Sequence, residues 1–262
     1  SGESSHAEGK GTTAYGEASH AEGYNTLTSA SYSHAEGQDT QVTGQTILGT
    51  FYEATAGHAE GSNTLVTGPY SHAEGSGSLA SGNASHAEGW QTTASANYSH
   101  AEGRGTLASG ESSHAEGRST IASGDYSHAQ GNEASASGDY SFASGQFVKA
   151  THDASQILGY QLTDVDTGAP SSADDGRFII GRFNATGSQT MGSSLTGSYY
   201  MGLAYGNGRV DADRNNVLEI WTEENDASSS RVFLDPGALP TSDPNVSGQL
   251  WRSGTDLKIS LG

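Results

Sequence analysis

The sequence has 262 residues and a formal net charge of −19, because 30 acidic residues outnumber 11 Lys and Arg. This balance argues against nucleic-acid binding and against insertion into an anionic membrane, since both attract positive charge. Only 32% of the residues are hydrophobic and 37 are Gly, which excludes one thick apolar core along the whole chain. The absence of Cys excludes disulfides and thiolate metal sites.

The chain opens in the middle of a repeat, at Ser1-Gly2-Glu3, without a Met or a recognisable signal peptide. We therefore expect it to be a processed or truncated piece of a longer protein. Its apolar runs are all shorter than the roughly 18 residues that a membrane-spanning helix needs. No such helix is predicted.

A 14-residue repeat occupies residues 1–145 and has two halves of seven. The first half reads Ser-His-Ala-Glu-Gly-x-x and the second Thr-x-Ala-Ser-Gly-x-x, as in residues 113–126. A coiled coil is excluded because Gly recurs in every heptad and the a and d positions are not apolar. Seven residues fit a short strand and a turn, for which Gly supplies the positive φ. The repeat thus predicts an all-β fold, a parallel β-roll or solenoid with two strands in each 14-residue coil.

Strand alternation assigns the faces of each predicted strand. Ser, Ala and Gly share one face of the first strand, while His and Glu share the other. In the second strand Thr, Ala and Gly share one face, and the Leu or Ile lies opposite. Stacked coils then place like residues in columns. The last place of the repeat predicts an interrupted Tyr column of Tyr32, Tyr70, Tyr98, Tyr126 and Tyr140.

The His and Glu residues of successive coils are predicted to form a ladder on one face. We interpret it as a structural ladder of His–carboxylate hydrogen bonds, within or between subunits. Metal binding by convergent His is the alternative, but no metal and no other cofactor is predicted. Catalysis is disfavoured because an active site needs one distinctive constellation, so the chain is not expected to be an enzyme. The ladder residues are His6, His20, His34, His58, His72, His86, His100, His114 and His128, with Glu8, Glu22, Glu36, Glu60, Glu74, Glu88, Glu102 and Glu116.

An insertion interrupts the repeat between His34 and His58, where the spacing is 24 residues instead of 14. We assign the ten extra residues to 47–56, and they are unusually apolar. An insertion in a solenoid forms a loop on one face. A clamp over a neighbouring subunit is the preferred interpretation, and an exposed binding loop is the alternative.

The period is lost after residue 145, and residues 146–262 are predicted to form a small β-rich C-terminal tip domain. Its aromatic residues Tyr199, Tyr200, Tyr205 and Trp251 are the candidates for receptor contacts, since Tyr and Trp suit binding surfaces. Tyr199 and Tyr200 are expected in a loop, and Trp221 in the core. Predicted strands lie at Gln156–Tyr160, Arg177–Gly181, Asn216–Trp221 and Arg231–Leu234, with a hairpin over Leu250–Ile259.

The repeat resembles the head repeat of trimeric autotransporter adhesins, whose typical strand is Ser-Val-Ala-Ile-Gly; here His and Glu replace Val and Ile. That resemblance covers residues 1–145 and implies a left-handed, homotrimeric β-roll. The His-Ala-Glu-Gly form looks more like repeats of bacteriophage tail fibres and neck appendages. The stretch Leu239-Pro240-Thr241-Ser242-Asp243-Pro244, followed by Gly248-Gln249-Leu250-Trp251, is similar to the end of many phage tail fibre proteins.

The preferred function is a structural trimeric fibre of a phage virion that projects a host-receptor-binding tip. Its implied partners are two further copies of the chain, other virion tail or fibre proteins, and a glycan or protein receptor on the host cell. The lack of a coiled-coil stalk after the repeat favours this interpretation. Two alternatives remain: the head domain of a bacterial trimeric adhesin at the cell surface, and a tailspike polysaccharide depolymerase.

Overall fold

The structure is a computed structural model that describes residues 2–47, 50–163, 178–182, 199–206, 216–223, 226–234, 250–253 and 256–259. Side-chain positions are described for residues 2–44, 53–163 and 178–180. All regular elements within these ranges are β-strands. The described residues therefore include no helix able to cross a membrane.

Each repeat forms one coil, and its long strand begins at the repeat's His. Long strands of successive coils pair in parallel with identical residues opposite each other, as His100 opposite His114 and Gly103 opposite Gly117. This register confirms the predicted parallel solenoid of 14-residue coils. The long strands are His6–Lys10, His20–Tyr24, His34–Gln38, His58–Ser62, His72–Ser76, His86–Trp90, His100–Arg104, His114–Arg118, His128–Asn132 and Phe142–Gln146.

The second half of each repeat forms a short strand, and the short strands build a second parallel sheet. Backbone hydrogen bonds join the coils here as well: the Leu107 N–H donates to the Thr120 carbonyl at 2.9 Å. The short strands are Thr13–Ala14, Leu27–Thr28, Gln41–Val42, Leu65–Val66, Leu79–Ala80, Thr93–Ala94, Leu107–Ala108, Ile121–Ala122, Ser135–Ala136 and Lys149–Ala150.

The core between the two sheets is thin and consists mainly of Ala. Ala101 and Ala115 in the long strands and Ala108 in a short strand are fully buried. The buried Ser127 hydroxyl at the start of a coil donates to the Gly124 carbonyl at 2.6 Å and closes the turn. Ser, Ala and Thr, which alternation predicted to share one face of their strands, line this core, and the narrow space between the sheets favours small side chains.

Glycine is required at the end of the long strand. Gly117 has φ +108, and a Cβ at this residue would lie 2.2 Å from the Gly131 carbonyl oxygen of the next coil. The prediction that Gly supplies the positive φ of the turns is only partly correct. Two further left-handed positions in each coil are mostly occupied by other residues, such as Ser119 with φ 54 and Tyr126 with φ 58. The Tyr126 N–H donates to the Glu111 carbonyl of the preceding coil at 2.7 Å, which helps to hold this conformation.

The coils continue beyond residue 145, where the sequence predicted the end of the roll. Gln156–Tyr160 pairs in parallel with Phe142–Gln146, and Gly159 lies opposite Gly145. Ser155 and Ile157 are fully buried at the places that Ser and Ala take in earlier coils. The larger residues of this coil concealed the period, but the stacking geometry is retained.

The same sheet extends further in parallel through Phe178–Arg182 and Tyr199–Gly206. Asn216–Glu223 and Asp226–Leu234 then add to it in antiparallel orientation, and Leu250–Ser253 pairs with Asp256–Ile259 as an antiparallel ladder. The predicted strands in this half are confirmed. Their separation as a tip domain stays a prediction.

The insertion forms a short antiparallel ladder between Gln45–Ile47 and Thr50–Tyr52. The Ala56 N–H donates to the Ser31 carbonyl of the preceding coil, as the equivalent turn residues do in other coils. The Glu53 carboxylate accepts a hydrogen bond from the Ser31 N–H at the base of the insertion. The extra residues therefore precede Ala54. The predicted position of the insertion at 47–56 lies too far toward the C-terminus. The spacing between His residues reveals the length of an insertion but not its position.

Candidate functional site

A continuous stack of imidazole rings follows the outer face of the long strands. From His20 to His128, successive ring centroids are 4.6–5.0 Å apart and the planes differ by only 2–22°. At the N-terminal end His6 tilts by 54° against His20. At the other end Phe142 contacts His128 edge-on, with centroids 5.3 Å apart. The stack arises because identical residues face each other at the spacing of neighbouring strands, about 4.8 Å.

Each Glu of the ladder lies beside this stack, but its His partner changes along the roll. Near the N-terminus the partner is on the same strand, as for His34 and Glu36, whose Nε2 and Oε2 atoms are 3.8 Å apart. Further along it is on the next coil, as for His114 Nε2 and Glu102 Oε1 at 3.6 Å. The sequence predicted a column of His beside a column of Glu, without a specific partner for each His. For His114 the second carboxylate, that of Glu116, also lies within 4.8 Å, so side-chain rotamers decide the partner.

Within one chain, the described His and Glu side chains of the ladder do not hydrogen-bond to each other, and hydrogen bonds between subunits stay a prediction. The Nε2–carboxylate distances of 3.6–3.9 Å exceed the usual length of an N–H···O hydrogen bond. The Nε2 atoms are nevertheless buried without a hydrogen-bond partner in His20, His34, His58, His72, His86, His100, His114 and His128. The ladder is thus a row of half-buried polar groups with unused bonding capacity.

The environment of four imidazoles in the stack lowers their pKa. Burial is the largest cause that lowers the pKa of His34, His58, His100 and His128 below 6.5, and the stacked neighbouring His comes second. The adjacent Glu carboxylates act in the opposite direction and do not outweigh these two effects. The neutral imidazole is therefore favoured in these four residues.

The lowered pKa values predict that the protein loses stability on acidification. A base whose pKa falls on folding binds fewer protons in the folded state than in the unfolded state. The free energy of unfolding is therefore highest above pH 6.5 and decreases as the pH falls from 6.5 through the lowered pKa values. Urea unfolding at about pH 7.5 and about pH 5, with a chelator present, should show the lower midpoint in acid.

His100→Phe supplies the control for this pH dependence, since Phe142 already occupies the equivalent place in a later coil. The variant should lose less stability between the two pH values than the parent protein. A midpoint that stays constant or rises in acid would contradict the predicted direction.

The ladder also brings three possible metal ligands together at several places. Ligand atoms of each set lie within 4.8 Å of one another. The sets are Glu22, His34 and Glu36; His58, Glu60 and His72; Glu74, His86 and Glu88; Glu88, His100 and Glu102; and Glu102, His114 and Glu116.

The aromatic residues of the two halves differ in how far the structure describes them. Tyr126 and Tyr140 are exposed and stack with centroids 5.0 Å apart, at the corner where the Tyr column was predicted. Tyr199 and Tyr200 begin the strand Tyr199–Gly206 instead of lying in the expected loop. Trp251 lies in Leu250–Ser253. The side chains of these last three residues and of Tyr205 are outside the described part of the chain, so their receptor contacts stay a prediction.

Comparison with known proteins adds one finding. A family model described as the YadA head domain repeat matches residues 59–85, 101–127 and 122–147. The coils resemble an adhesin head. All matched stretches lie in the stacked coils, although together they are less than half of the chain. No curated protein matches the sequence. The match favours the adhesin alternative over the preferred phage fibre, and no comparison supports a virion origin.

Proposed function

We propose that the chain is part of the rigid head of a trimeric adhesin on the surface of a bacterium. The observation that supports this best is the stack of 14-residue coils, within which the YadA head repeat matches three stretches. Ten coils at about 4.8 Å give a rod of roughly 45–50 Å for residues 1–145. Such a rod holds its binding surfaces away from the cell, and three copies combine weak contacts into avidity.

The shape of a single coil supports assembly into a trimer. Its core is one layer of Ala, and both flanks carry half-buried side chains, with the His–Glu ladder on one side and Leu79 and Leu107 on the other. Three rolls packed around an axis would bury one flank of each with closed symmetry. Light scattering on the full chain should give three times 26.9 kDa. A monomeric mass over the accessible concentration range would refute the trimer.

Binding to cells separates the adhesin from the phage fibre, because their targets differ. The labelled full chain should bind cultured animal cells, as expected for an adhesin that contacts a host surface. Binding to bacterial cells and not to animal cells would instead support the phage fibre. Release of oligosaccharides from bacterial capsule would show the third function, a depolymerase.

The C-terminal aromatic residues remain the candidates for the contact with the receptor. Tyr199, Tyr200, Tyr205 and Trp251 combine large contact area with a polar group. We expect Trp251→Ala to remove cell binding. The circular dichroism spectrum of the coils should not change.

A further inference from the structure

The His–Glu ladder presents a mixed set of nitrogen and oxygen ligands at regular intervals. In the central coils each set contains one imidazole flanked by carboxylates of two consecutive coils, as His114 lies between Glu102 and Glu116. The His114 Nε2 atom is 3.6 Å from the Glu102 Oε1 atom. A metal ion with N and O ligands at about 2.0–2.2 Å can bridge these atoms after a small side-chain movement.

The ligand atoms of these sets have no competing strong partner. The Nε2 atoms of His86, His100 and His114 are buried without a hydrogen bond. Among the side chains that the structure describes, every ion pair of the ladder Glu is with His, and none is with Lys or Arg. Arg104 is directed instead over the Trp90 ring, 4.9 Å from its centroid.

Electrostatic repulsion within the Glu column gives a reason for cations to bind. The carboxylates of Glu74, Glu88, Glu102 and Glu116 repeat at the strand spacing of about 4.8 Å and line one open groove. Like charges at this distance repel each other, and the shielding by water is reduced because the side chains are half-buried. A bound divalent cation would neutralise two of these charges at once.

We propose that the ladder is a linear binding site for divalent transition-metal ions of the zinc class. One imidazole and two carboxylates of consecutive coils hold each ion in the central coils, and water completes its coordination. Imidazole nitrogen favours Zn²⁺ over Mg²⁺ and Ca²⁺, which prefer oxygen ligands alone. This proposal concerns the ladder itself and holds whether or not the chain is an adhesin.

The stoichiometry follows from the sharing of ligands. The set around His100 shares Glu88 with the set around His86 and Glu102 with the set around His114. Ions in all three sets would also lie in adjacent coils and repel each other. Of the five sets among the described residues, the one around His100 therefore stays empty when its neighbours fill, which leaves room for four ions in the ladder of each chain.

Calorimetric titration of the chelator-treated full chain with Zn²⁺ tests the proposal. We expect saturation at no more than four ions per chain and no comparable binding of Mg²⁺. Glu102→Gln and His114→Phe each remove a ligand of the same set, and should weaken binding there by at least about tenfold. Gln130 already occurs in the Glu column and Phe142 in the His column. Both variants should therefore keep the coil.

Glu111→Gln is the matched control, because it removes the same charge from an exposed turn residue outside the ladder. Its titration should equal that of the parent protein. The proposal is overturned if the parent protein does not bind Zn²⁺, or if the three variants bind it equally. Circular dichroism verifies that each variant retains its strands.

Discussion

Gly117→Ala is expected to lower the free energy of unfolding by roughly 3–5 kcal/mol, the upper range for single substitutions. Two effects act together at this residue. A φ of +108 is a backbone conformation that Ala rarely adopts, and the new Cβ would lie 2.2 Å from the Gly131 carbonyl oxygen. Either the two coils separate, which breaks their backbone hydrogen bonds, or the strand end changes conformation. Urea unfolding followed by circular dichroism measures the loss.

Gly105→Ala is the control for this effect. Gly105 has φ +64, and its Cβ would find Ser119 Oγ at 3.9 Å as the nearest atom. Ser119 and Gln91 occupy the equivalent place in neighbouring coils with φ 54 and 53. Gly105→Ala should therefore lower the free energy of unfolding by only about 1 kcal/mol. Equal losses for the two variants would show that general glycine flexibility, and not the approach of the next coil, explains the first result.

Ala115→Asp is expected to destabilise the roll by a comparable amount, roughly 3–5 kcal/mol. Ala115 is fully buried and lies in register between Ala101 and Ala129 of the adjacent coils. A carboxylate at this place has no room and no cationic partner, because the surrounding column consists of Ala. Each coil contacts mainly its two neighbours, so the loss of one coil also separates the coils on either side. Limited proteolysis should then cut within residues 113–126.

Ser119→Asp introduces the same residue four positions later and serves as the control. Ser119 is exposed, and Asp39 occupies the equivalent place in an earlier coil. We expect its free energy of unfolding to change by no more than about 0.5 kcal/mol. If both variants unfold alike, added negative charge and not burial would be the cause.

The architecture of the repeat region could be predicted from the sequence because its interactions are repeated at a fixed separation. A period of 14 places His100 opposite His114, and alternation along the strand then places Ala101 on the opposite face, which the structure buries. Neither step requires knowledge of distant contacts. Apolar runs predicted the strands at Asn216–Trp221 and Arg231–Leu234, which the structure extends to Asn216–Glu223 and Asp226–Leu234, but they did not predict the pairing of these strands with the preceding sheet.

The continuation of the roll after residue 145 was missed because the prediction relied on residue identity. Ile157 fills the place of Ala, and Gln156 that of His, yet the backbone keeps its register. In this coil Ile157 is buried in place of Ala and Gly159 keeps its place near the strand end, while Gln156 replaces the His of earlier coils. Likewise, the position of the insertion depends on which turn hydrogen bonds are conserved around Ala56, not on the spacing of His residues.

The sequence by itself determined the coil length, the residues that share each face of a strand, and the columns of His and Glu. Only the tertiary structure decided that these columns leave imidazole nitrogens without hydrogen bonds, and that the partner of His114 is Glu102 of the preceding coil. The physical reason is that covalent periodicity sets which residues come close, to about 5 Å. Whether close groups form a hydrogen bond depends on their side-chain rotamers and burial. These change the distance between polar atoms by tenths of an ångström and are not encoded in the period.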